Sequence, residues 1–139
     1  IGGLGGCLPR TLEAFELVCN RKVDDGDAES LGRGLPENLQ HLLLDFRRSK
    51  VTDSGLEVLG RCLPKGLESL TLSCELCRKL QMGAGAVCRV LPSCLKTLQL
   101  DFAICRLLSE DTLVEVGANL PSGLNSLILD VSSCKRFGD

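Results

Sequence analysis

Five Leu-Pro pairs punctuate the chain: Leu8-Pro9, Leu35-Pro36, Leu63-Pro64, Leu91-Pro92 and Leu120-Pro121, at steps of 27, 28, 28 and 29 residues. Aligning on them brings out three more columns. The first is Leu12, Leu39, Leu67, Leu95 and Leu124. The second is Phe15, Leu42, Leu70, Leu98 and Leu127, and the third is Leu17, Leu44, Leu72, Leu100 and Leu129. Across the five columns 24 of 25 positions hold the expected Leu or Pro, with Phe15 the one departure, so the regularity is not accidental. An internal period of this length marks one supersecondary unit stacked on copies of itself.

Each unit reads the same way. In Leu39 to Phe46, apolar Leu42, Leu44 and Phe46 alternate with His41, Leu43 and Asp45. A period of two is that of a strand. The triplets taken as inward are Phe15/Leu17/Cys19, Leu42/Leu44/Phe46, Leu70/Leu72/Cys74, Leu98/Leu100/Phe102 and Leu127/Leu129/Val131. A basic loop follows each strand, and then a helical stretch. Leu56, Leu59 and Leu63 lie at i, i+3, i+7 on one helix face, Thr52 or Asp53 can cap it, and Pro64 stops it. Strands are expected near 14–19, 41–46, 69–74, 97–102 and 126–131. Helices are expected near 25–34, 53–62, 82–90 and 110–119. One strand and one helix cannot bury their own apolar face, but stacked units can. The expected fold is therefore α/β: a solenoid with a parallel inner sheet of about five strands and helices on the convex side. Residues 1–139 form a single segment, expected to belong to a longer array or to be capped by partner subunits, because neither end shows polar replacement of its apolar columns.

The consensus LPxxLxxLxLDFxxCxxLxDxGxxxLGxxLP covers essentially the whole chain. It resembles the ribonuclease-inhibitor-like class of leucine-rich repeats, which share its 28-residue period and helical outer layer. One feature departs from that class. In place of an Asn or Cys soon after the strand, a longer loop carries Cys77, Cys105 and Cys134, with Ser49 in the second unit. The resemblance implies a curved solenoid that binds protein, as a recognition module or a structural subunit of a larger assembly.

Composition narrows the function. No apolar run approaches the ~18 residues of a membrane span. The net charge is −2 and aromatics make up 3%, with no Trp or Tyr. Nucleic-acid binding by base stacking is thereby disfavoured. Nine cysteines follow the repeat and not a pairing pattern. Reduced thiols and an intracellular setting, cytoplasm or organelle, are the expectation. Cys74 and Cys77 form a Cys-x-x-Cys, but zinc needs about four ligands and His41 is the only histidine. Packing is the reading for these thiols, with no metal and no cofactor. Gly2-Gly3-Leu4-Gly5-Gly6 lacks the Lys-Ser/Thr ending of a phosphate loop and fits a truncated helix instead. Gly32, Gly60 and Gly117 share a column beside the helix face, where small size suits close packing.

The outward strand positions form the candidate partner-binding surface on the concave side: His41, Leu43, Asp45, Arg47, Thr71, Glu75, Gln99, Asp101, Ile128 and Asp130. Leu43 and Ile128 are apolar anchors, and the acids set the sign of the partner. Val18 and Asn20 share these columns. Asp101 and Asp130 are adjacent in their column, yet they have no nucleophile or cleft, so no enzyme activity is expected. The loops carry the opposite sign, with Lys50, Arg78, Arg106 and Lys135 in one column and Arg21, Lys22, Arg47, Arg48, Lys79 and Arg136 nearby. This basic rim either balances Asp24, Asp25, Asp53 and Asp111 at the helix starts or docks an acidic protein surface or a phosphate-rich partner, RNA or lipid headgroups.

Overall fold

A computed structural model describes residues 1, 3–19 and 22–135. The protein is α/β. Strands β1 (Ala14–Val18), β2 (His41–Asp45), β3 (Ser69–Ser73), β4 (Thr97–Asp101) and β5 (Ser126–Asp130) alternate with helices α1 (Asp25–Arg33), α2 (Asp53–Arg61), α3 (Gly83–Cys88) and α4 (Asp111–Asn119). The strands pair in chain order in one parallel sheet. Phe15, Leu42, Leu70, Leu98 and Leu127 meet in one row, as do Leu17, Leu44, Leu72, Leu100 and Leu129. The expected elements agree within two residues at each end.

The Leu-Pro column has a local cause. The amide of the leucine three residues after each proline donates to that proline's carbonyl, in every unit from Leu12 on Pro9 to Leu124 on Pro121. The turn drives Leu39, Leu67 and Leu95 into the core, where each is fully buried. The core lies between the helices and one sheet face, filled by Leu42, Leu44, Leu70, Leu72, Leu98, Leu100 and the aromatic rings of Phe46 and Phe102. Helix follows helix closely because the glycine column allows it. A Cβ on Gly32 would sit 2.9 Å from Cys62 Cβ, and one on Gly60 only 2.4 Å from Val90 Cγ2. Gly117, on α4, meets nothing within 4 Å. The glycine-rich start forms a short 3-10 turn at Gly5–Cys7.

The capping expectation for α2 needs correction. Neither Thr52 nor Asp53 caps its own helix through its side chain. The carboxylate of Asp25, one unit back, accepts from Thr52 N at 2.7 Å and from Thr52 Oγ1 at 2.6 Å. Asp53 in turn accepts from the amides of Gln81, Met82 and Gly83 at 3.1, 3.0 and 2.9 Å, at the start of α3. Stacking brings the next unit's unpaired amides nearer to each carboxylate than its own, and the positive helix end favours the charge. Asp53→Ala is expected to cost about 1–2 kcal/mol in a urea titration, as cap removal does. Asp53→Asn should recover part of that, since one carbonyl oxygen still accepts. Among the described residues no helix is long and apolar enough to cross a membrane.

Candidate functional site

Among the described residues no helix or strand covers the sheet face opposite the helices. Its central row runs Glu16, Leu43, Thr71, Gln99, Ile128 and its first row Ala14, His41, Ser69, Thr97, Ser126. His41, Gln99 and Ile128 are exposed, while Leu43 and Thr71 are half-buried. A shallow depression of about 140 Å³ lies over Thr71, Gln99 and Ile128. Val18 shares the outward columns but was not counted in the candidate surface. Val18 is 63% exposed, more than Ile128 at 55%. Its place in the outward column was the available signal.

The acidic column is engaged in the turns that follow the strands. Asp45, expected to be outward and free, is buried. Its Oδ1 accepts from Arg47 N and Arg47 Nε at 3.1 and 3.0 Å, and the guanidinium lies 2.6 Å from Oδ2. Burial pushes the Asp45 carboxyl up, but the side-chain bond, backbone bond and charge of Arg47 outweigh it and leave the carboxyl below its ordinary value. Asp101 accepts from Ala103 N at 3.0 Å and from Ser73 Oγ at 3.0 Å, and Asp130 accepts from Ser132 N at 2.8 Å. The bonds from Ser132 hold the Asp130 carboxyl low. Each aspartate thus ties down the amide two residues on and shapes the turn that follows. Arg47, though exposed, is committed to Asp45, and Glu75 is half-buried with its carbonyl accepting from Arg48 N at 2.8 Å.

Those turns share one conformation. Ser49 N donates to Phe46 O, Cys77 N to Cys74 O and Cys105 N to Phe102 O. Arg48, Leu76, Ile104 and Ser133 have φ of 60°, 60°, 59° and 58°. A left-handed third residue is the type II pattern, which favours glycine, yet no unit has one there. The loop thiols lock the turns to the preceding unit. Cys77 Sγ donates to Phe46 O at 3.3 Å, Cys105 Sγ to Cys74 O at 3.2 Å and Cys134 Sγ to Phe102 O at 3.2 Å. Cys74 and Cys77 are both fully buried. Burial raises the Cys74 thiol well above its usual value, while a hydrogen bond from Cys74, with help from Ser49, draws Cys77 down to about 7. Without solvent access, neither presents a reactive sulfur. No group of three His, Cys, Asp or Glu among the described residues is placed to hold a metal ion.

The basic rim is exposed. Lys50, Arg78, Arg106 and Lys135 stand in successive loops, joined by Lys22, Arg48 and Lys79. Arg21 and Arg136, with Asn20 of the outward column, lie outside the described residues. Between the second and third loops is a groove of about 610 Å³, lined by Arg48, Ser49, Lys50, Leu76, Arg78 and Lys79. The six ion pairs among the described residues involve none of these four cations. Asp25 and Asp53, expected to balance the rim, give their oxygens to the next unit's Thr52 or backbone amides instead. Neither the protein-family models nor the curated proteins compared with this chain include a match to it.

Proposed function

We propose that the chain is a segment of a leucine-rich-repeat solenoid of the ribonuclease-inhibitor-like class, and that it serves as a protein-binding scaffold. The observation that carries this reading is the bare face of an all-parallel sheet. Such sheets are ordinarily covered on both faces. Here one face packs on helices while the other presents Val18, Leu43 and Ile128 among Thr71, Gln99 and the hydroxyls of Ser69, Thr97 and Ser126. Apolar anchors in a hydrogen-bonding surround suit a protein interface. A preordered sheet also loses little entropy on binding. Catalysis is not part of the reading, since Asp101 and Asp130 are engaged in turn amides. Base stacking finds no exposed aromatic ring among the described residues, where Phe46 and Phe102 are buried and Phe15 is half-buried. Thiols placed to donate to buried carbonyls suit a reducing, intracellular compartment.

Site-specific photo-crosslinking in the native extract tests the assignment. A crosslinker at Thr71 should yield a discrete protein adduct, and one at Glu57 on α2 should not. Leu43→Glu with Ile128→Glu should weaken purified partner binding by roughly tenfold or more. Unchanged affinity in that double variant would overturn the assignment.

A further inference from the structure

We propose that the groove between the second and third loops is a receptor for a short acidic peptide segment of the protein partner. The proposal rests on the protein-binding reading and extends it to a second contact of defined chemistry.

Three observations carry it. The groove, of about 610 Å³, gathers Arg48, Lys50, Arg78 and Lys79, all exposed. Like charges gathered in a concave, partly apolar setting repel one another, and an incoming anion relieves that repulsion. Second, three nearby acids are occupied: Asp45 by Arg47, Asp25 by Thr52 and Asp53 by the amides at the start of α3. Third, the turn keeps side chains where glycine would be easiest. Arg48 and Leu76 are held at φ 60° and both line the groove. A left-handed conformation costs a non-glycine residue on the order of 1 kcal/mol. Retaining Arg48 and Leu76 there supplies a cation and an apolar wall.

Shape selects the kind of anion. A bilayer offers a groove one headgroup at a time, whereas consecutive carboxylates on one chain can meet several of its cations together. A nucleic acid following the rim would find no exposed aromatic ring among the described residues to stack on. Two or three residues of an extended chain fit the volume. Glutamate or aspartate carboxylates then reach Arg48 and Arg78, and the intervening side chain rests on Leu76.

Fluorescence anisotropy with labelled hexaglutamate, against labelled hexaglutamine, tests this on the full chain. Hexaglutamate should bind and weaken steeply as salt rises, while hexaglutamine should not bind. Arg78→Glu with Lys50→Glu should lower affinity by roughly tenfold or more. Arg61→Gln, on the far side of α2, should leave it unchanged. Arg48→Gly separates recognition from structure. It should raise Tm by relieving the backbone and yet weaken hexaglutamate binding several-fold; a purely structural role would raise Tm alone. Leu43→Glu with Ile128→Glu should bind hexaglutamate normally, so failure of the sheet-face reading and failure of the groove are separable. Equal affinity for the two peptides, wild-type binding by the Arg78/Lys50 variant, or tighter binding of an RNA oligomer or anionic vesicles through the same residues would overturn the proposal.

Discussion

Replacing Leu70 by Asn will cost about 2–5 kcal/mol, a large part of the stability of a domain this size. Leu70 is 2% exposed on the central strand, paired in register with Leu42 and Leu98. The substitution removes apolar volume that the neighbouring units cannot close over, because their own leucines are fixed in the same row. It also buries an amide with no partner in that row. Thr71→Asn, one residue on and facing outward, should stay within about 0.5 kcal/mol of wild type. Urea titration of the two variants compares them directly. Equal midpoints would contradict the register.

Stability will fall as pH climbs past the ordinary thiol value of 9.0, because burial pushes the Cys88 and Cys105 thiols up to about 12. Between these values the folded chain keeps protons that the unfolded chain has released. Each such thiol therefore removes about 1.4 kcal/mol of stability per pH unit. Cys77 has the opposite sign. With its thiol drawn down to about 7 by Cys74, it adds stability as pH rises from 7 towards 9. Denaturant titrations in reductant should show a shallow rise and then a steep loss. Cys77→Ser should abolish the rise, and Cys88→Ala should blunt the loss. A flat profile above pH 9 would remove buried thiols from the account.

The architecture was legible because each apolar column obeys a local rule. Leu42, Leu44 and Phe46 alternate, Leu56 and Leu59 share a helix face, and Pro64 ends the segment. Alternation assigns a strand whatever lies beside it. A repeat of the pattern at 28 residues, as between Leu42 and Leu70, sets the register, since slipping one residue would turn every leucine outward. Parallel pairing, the helix positions and the thiol column in the loops followed from spacing alone.

Partners of the polar groups did not follow from spacing, because they lie a full unit away. Asp53 reads as the cap of α2, but stacking puts the amides of Gln81, Met82 and Gly83 within its reach. Asp45 reads as an outward charge, but the turn after β2 folds Arg47 onto it. The left-handed residues were hidden for another reason. Arg48, Leu76, Ile104 and Ser133 share no chemistry, and glycine, the residue that signals such a turn, is absent. The gathering of Arg48, Lys50, Arg78 and Lys79 around one groove belongs to the same category. By itself the sequence placed the leucines of the inner units in the core, since a repeating apolar period suffices for that, but it misplaced Leu127, 40% exposed at the end of the sheet, and Asp45, which is buried. Only the tertiary structure decided which charges are spent within the fold and which are left for a partner, because a charge is neutralised by whatever stacking brings near it.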